Sequence, residues 1–299
     1  MNTTASTALQ PGAEQQGIAS AAAAATRPFY WAVRRELWEY RSLYIAPLAV
    51  GGVALVGLLY AMVSRVMKSN VEQMEVLKEP YSLAAGLIMA AAFLVGFFYC
   101  LDSLHGERRD RSILFWKSLP VSDLTTVLAK ASIAIVFVPL LAFVVTFVLQ
   151  WMLLLSSAVL LKSGVSSALW KQLPEFQEAT LYHLVTVHVL WYAPLYAWMM
   201  LVSAWARRAT FLWAGLPPLA IGVAEKIAFN TRHFANLMGY RFAGPEHFDM
   251  TEPGQFVMDP MMHLHLGTFL RTPGLYTGLV IAALLLAAAV RLRRHQGPI

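Results

Sequence analysis

The chain has 299 residues, of which 58% are apolar and 13% charged, far below the roughly 25% charged residues of a soluble domain, so an ordinary soluble fold is excluded. Its net charge of +6 follows the loops between apolar runs rather than one face, which points to membrane topology and the lipid bilayer and away from a nucleic-acid partner. The single cysteine, Cys100, lies in an apolar run; it excludes an internal disulfide and reads as a small buried thiol.

Residues 1–27 mix Ala, Thr, Gln and Gly without a basic start, the composition of a disordered tail. The segment 28–41 opens on Pro28, suited to a first helical turn, and places Phe29, Tyr30, Val33, Leu37 and Tyr40 in one quadrant of a helical wheel. Trp31 and Trp38 border its arginines. It is expected to lie in the interface as an amphipathic helix, apolar side toward acyl chains and arginines toward headgroups.

Six uncharged windows follow, at 42–64, 81–101, 131–161, 179–206, 209–224 and 272–290, each compatible with a transmembrane helix. The third would be roughly 46 Å long, so it must tilt, kink near Pro139 or protrude from the ~30 Å core. The fifth is short and carries Pro217 and Pro218; it reads as a span that breaks early and turns back. Six spans put both termini on one side. With the termini inside, Arg27, Arg34, Arg35, Arg41, Arg108, Arg109, Arg111, Lys117, Lys130, Arg207, Arg208, Arg291, Arg293 and Arg294 face the cytoplasm, fourteen of the twenty-three basic residues. The positive-inside rule therefore makes the termini cytoplasmic. The fold class is all-α: a polytopic membrane protein with six transmembrane helices, an N-terminal interfacial helix at 28–41 and a cytoplasmic helix in the 102–130 loop between spans two and three. Residues 42–299 form one transmembrane domain, with an outer re-entrant region at 225–271.

In the 102–130 loop, Glu107, Arg108, Arg109, Asp110 and Arg111 precede the apolar quartet Ile113, Leu114, Phe115 and Trp116, and Pro120 stops the helix. Ser122 and Asp123 offer oxygens to cap the next one. A short helix that is basic at one end and aromatic at the other suits a groove on another protein, where Phe, Trp and Arg are favoured anchors, or the membrane surface.

The run GERRDRSILFWKSLPVSDLTTVLAK resembles the cytoplasmic loop of ABC-2 type transporter permeases, through Glu107, Arg111, Ser112, Leu119, Pro120, Val121, Ser122 and Lys130. Arg111-Ser112 stand where many members carry a Gly-Thr pair. The six-span layout, connecting helix and broken region before the last span are similar too. The resemblance implies the permease subunit of a bacterial ABC exporter, in the inner (cytoplasmic) membrane. Its loop would act as a coupling helix on a separate ATP-binding subunit, through Glu107, Arg108, Arg109, Arg111, Ser112, Ile113, Leu114, Phe115 and Trp116. It further implies a second permease chain, identical or a paralogue. No G-x-x-x-x-G-K-[ST] pattern occurs, so ATP and Mg belong to the partner, the chain binds no cofactor directly, and it is not itself an enzyme.

Within the spans, His183 and His188 are five apart, about 140° apart on an α-helix, which does not suit a shared metal. His188, Tyr192 and Tyr196 are the candidates for lining a substrate pathway, and their aromatic character points to an apolar or amphipathic cargo. The outer stretch MDPMMHLHL (258–266) carries thioether and imidazole groups; copper handling or intramembrane chemistry is the alternative to transport. No catalytic or metal-binding set is assigned.

Overall fold

The computed structural model describes residues 28–67, 75–119, 121–160, 163–243 and 266–299, and these are helical without strands. The expected tail at 1–27 and residues 258–265 of the methionine- and histidine-bearing stretch lie outside them. The helices are α1 (Pro28–Glu39), α2 (Ser42–Met67), α3 (Glu75–Ser103), α4 (His105–Arg109), α5 (Ile113–Ser118), α6 (Asp123–Ser132), α7 (Val138–Leu160), α8 (Ser163–His183), α9 (Ala193–Trp205), α10 (Thr210–Phe229), α11 (His233–Ala243), α12 (Leu266–Arg271) and α13 (Pro273–His295). Two π-helical stretches, Ile133–Phe137 and Leu184–Trp191, join α6 to α7 and α8 to α9.

Among the described residues five helices are long and apolar enough to cross a membrane: Ser42–Ser64, Tyr81–Arg109, Asp123–Val159, Thr210–Phe229 and Pro273–His295. A sixth is present if Trp170–Trp191 and Ala193–Trp205, bent by 44° at Tyr192, count as one span. The third of these spans is continuous through Pro139, with a π-helical stretch at Ile133–Phe137 just before it. At ~55 Å for 37 residues it exceeds the ~30 Å hydrocarbon core, so it protrudes.

Both π stretches sit just ahead of a proline. Pro139 and Pro194 lack an N–H, and their rings crowd the carbonyl four residues earlier. Widening the preceding turn relieves that crowding, as the bond from Tyr192 N–H to Val187 O (2.9 Å) shows. In α10, Pro217 and Pro218 are absorbed within a 20-residue helix, so the fifth segment continues to Phe229 instead of breaking at 224.

α3 and α9 are central. α3 packs against α2, α7 and α9, and α9 lies along α13. The apolar core includes Ile88, Ala92, Ala134, Ala142, Leu149, Met200 and Ala289. Small residues permit the closest approaches: a Cβ on Gly51 of α2 would stand 2.7 Å from Val145 of α7, the close backbone approach by which helices associate in lipid. α10 is peripheral and buries only Ala214.

Candidate functional site

Charged residues from α1, α4, α6 and the last turns of α13 converge at one end of the bundle, where these helices meet α5. Arg35 pairs with Glu107, and the backbone N–H of Ile299 donates to Arg108 O at 3.2 Å; the start of α1 and the C-terminal residues therefore share this end.

α4 is fixed by unfilled hydrogen-bonding groups at helix ends. The N–H groups of Leu104 and His105 donate to Ser203 Oγ at 3.0 and 2.9 Å. Arg108 donates through Nη1 to Ala204 O at 2.5 Å and Ala206 O at 3.3 Å, and through Nε to Gly297 O at 3.4 Å. The last carbonyls of α9, which have no intrahelical donors, are thus satisfied by a buried guanidinium.

Glu107, 4% exposed, is placed by α4 among three cations. Arg35 Nη2 is 2.7 Å away and Lys130 Nζ 3.2 Å, and Arg293 Nη1 makes a direct bond. Lys130 also reaches Glu36 at 2.8 Å, while Arg293 reaches Asp123 at 3.1 Å. Tyr99 donates to Glu36 at 2.9 Å. Three carboxylates and three cations thus meet in a mostly buried cluster, with half-exposed Glu39 at its rim 3.6 Å from Arg35 Nε. A buried charge is tolerable only when paired and hydrogen-bonded, and here each member is. The cluster ties α1, α3, α4, α6 and α13 into one rigid base. Beside it Tyr40 donates to Asp102 at 3.1 Å, and burial, then Asp102, push its phenol well above the ordinary value. It stays a donor at any physiological pH.

From this base the chain turns through Arg111, whose φ of 60° is left-handed, into α5. Glycine is the residue for which that conformation is free of strain. α5 splits its apolar quartet between two surroundings. Ile113 is buried at 1% exposure, Trp116 is half-buried beneath Arg35, whose guanidinium lies 3.7 Å from the ring centroid, and Leu114 and Phe115 are each 59% exposed. A cavity of about 450 Å³ separates α5 from α1 and α6, between Trp31, Trp116 and Thr126.

The residues expected to face an ATP-binding subunit are therefore divided. Glu107, Arg108 and Ile113 are used inside the chain, and Ser112 donates to Glu107 O at 3.4 Å. Trp116 packs on α1. Leu114, Phe115, Arg109 and Arg111 remain on the surface, with Arg109 paired to exposed Asp110 at 3.2 Å. The apolar side of α1 is divided in the same way. Val33, Leu37 and Tyr40 pack on the bundle core, while Phe29, Tyr30, Trp31 and Trp38 are exposed and Arg34 lies over both Trp31 (5.2 Å) and Trp38 (4.6 Å). Ser122 caps α6 as expected, accepting from Thr125 N at 3.0 Å; Asp123 serves Arg293 instead.

Sequence reasoning did not single out Glu36, Arg293, Tyr99 or Asp123 as one cluster. A signal for Glu36 existed: it follows Val33 by three and precedes Tyr40 by four, which puts a carboxylate on the packed face of α1.

In the fourth segment, Tyr192 and Tyr196 pack against Phe93 of α3 at ring distances of 4.9 and 6.1 Å, and Tyr192 donates to Phe242 O at 3.1 Å. His188 is 1% exposed, with Nε2 3.2 Å from Met89 O. All three are filled positions in the packing of one chain. The π stretch also overturns the divergence expected of His183 and His188, whose rings lie 5.8 Å apart, because in a widened turn bonded i to i+5 residues five apart come back to the same side. Among the described residues no group of three metal-ligating side chains forms.

Further from the charged cluster, α11 returns to the bundle and inserts Arg241, 8% exposed. Its guanidinium lies 4.3 Å over Trp191, and Nη2 donates to Gly274 O at 2.7 Å. Trp191 Nε1 donates back to Arg241 O at 3.0 Å. Gly278 makes room: a Cβ there would stand 2.6 Å from Nη2.

No family model, curated protein or solved structure matches this chain.

Proposed function

We propose that the chain is the permease subunit of an ABC transporter of the ABC-2 type, spanning the inner membrane six times with both termini cytoplasmic. The bent pair at Tyr192 counts as one span in this reading. ATP hydrolysis is supplied by a separate subunit, and two permease chains line one pathway for export of an apolar or amphipathic compound. The observation that carries the proposal is the exposed pair Leu114–Phe115 on a six-residue helix whose base is locked by the buried Glu107 cluster. Large apolar side chains are costly in water and need a partner surface, and a rigid base transmits a push on that tip to α1, α6 and α13 together. Arg109 and Arg111 supply the charged rim that steers an acidic partner.

The test is co-expression with a candidate ATP-binding subunit. Wild-type chain is expected to retain the ATPase through purification, and Leu114→Asp with Phe115→Asp to lose it while remaining monodisperse, since both side chains are exposed. Equal retention by the variant, or no association of any candidate ATPase encoded nearby, overturns the reading.

A further inference from the structure

α10 is the least anchored of the long helices. A cavity of about 690 Å³ runs between it, α9 and α11, inside the ~300–1,000 Å³ range of ligand pockets. Its walls are apolar, including Phe97, Trp198, Met199, Phe211, Leu219 and Phe234. Gly215 of α10 also lines it, and a Cβ added there would meet nothing within 4 Å.

The polarity is concentrated where α10 ends and α11 begins, and it is cationic: Lys226 and Arg232 are the charged residues of the lining. Among the described residues neither forms an ion pair; Lys226 Nζ donates to the neutral Asn230 Oδ1 at 2.6 Å. The neighbouring acid, Glu225, is committed to Thr231 Oγ1 and to the N–H groups of His233 and Phe234, at 2.7, 2.7 and 2.8 Å. The lining therefore presents two positive charges without a carboxylate.

Its depth narrows the occupant. Phe211 and Lys226 both line the cavity, fifteen residues apart on one helix, so it extends about 22 Å along α10, against ~20–22 Å for half of the bilayer with its headgroup region. A chain held along that length with its head at Lys226 and Arg232 has the reach of one leaflet.

We propose that the cavity holds an acyl chain of an anionic phospholipid from the surrounding bilayer, its phosphate bound by Lys226 and Arg232. The guanidinium fork and the ammonium suit phosphate oxygens, and basic pockets between membrane helices bind lipid headgroups. The lipid fills the space between α9 and α10 and holds the α10–α11 hairpin to the bundle. The proposal does not depend on the transport reading, and its test needs no ATPase.

The experiment is native mass spectrometry of the purified, delipidated chain in mild detergent with either phosphatidylglycerol or phosphatidylcholine added. Wild type is expected to retain phosphatidylglycerol about tenfold over phosphatidylcholine, because the phosphate of the latter carries a trimethylammonium group that Lys226 and Arg232 repel. Lys226→Gln with Arg232→Gln, both exposed positions, should abolish the preference. Gly215→Phe, which occupies the cavity, should lower retention of both lipids. Equal retention of the two lipids by wild type, an unchanged preference in the double variant, or full retention by Gly215→Phe each overturns the proposal.

Discussion

Replacing Glu107 with Gln removes one carboxylate from the midst of Arg35, Lys130 and Arg293 while keeping its size. Removing one partner of a buried ion pair costs about 3–5 kcal/mol, because the opposite charge is left without compensation. Here the cost falls at the lower end, about 3 kcal/mol, since each cation keeps a second acid: Arg35 and Lys130 keep Glu36, and Arg293 keeps Asp123. At 2–4 °C for each kcal/mol, the apparent midpoint of thermal unfolding in detergent drops by about 6–12 °C. The exposed pair of Arg109 and Asp110 is the control; Arg109→Ala should cost under about 1 kcal/mol. Combining Glu107→Gln with Arg293→Met tests the wiring, because residues sharing one interaction are non-additive by about 0.5–3 kcal/mol, so the double variant should be less destabilised than the two singles summed. A midpoint within about 1 °C of wild type for Glu107→Gln, or strict additivity with Arg293→Met, refutes the cluster as the clamp of this end.

Two further outcomes follow from backbone geometry. Arg111→Gly should raise the unfolding midpoint by about 2–4 °C, because a left-handed non-glycine residue costs about 1 kcal/mol or more, and Arg111 is exposed; a lowered midpoint in the same scan would show that its side chain has a structural partner. Gly278→Ala should destabilise by about 1–3 kcal/mol through overpacking against the Arg241 guanidinium, and Arg241→Met in the same chain should recover most of the loss; destabilisation that Arg241→Met leaves untouched would place the clash elsewhere.

The long helices were legible because a bilayer imposes one strong rule: about 20 apolar residues per span, with the backbone bonded to itself. Among the described residues five segments obey it, including the fifth, whose prolines had suggested an early break. The bend in the fourth is also written in the sequence, as Pro194, though its form is not: the widened turn at 184–191 reorients His183 and His188, and only the three-dimensional backbone reveals that. Prolines alone mislead in the other direction at Pro217 and Pro218, where the helix runs on to Phe229.

The candidate site divides along the same line. That the 102–130 loop carries a short helix with a basic start and an aromatic end follows from residue order, as does the cap at Ser122. Which of those side chains face outward does not, because α5 is six residues long and its exposure depends on what α1, α6 and α13 place beneath it. Glu107, Arg293 and Glu36 are far apart in sequence and individually look like surface charges of a cytoplasmic face. Tertiary packing alone brings them together, since burying any one is unfavourable until its partners arrive from other helices. The sequence by itself determined a helical membrane chain with an exposed charged connector. The tertiary structure decided that most of that connector's charge is spent holding the bundle together, leaving Leu114 and Phe115 at its tip.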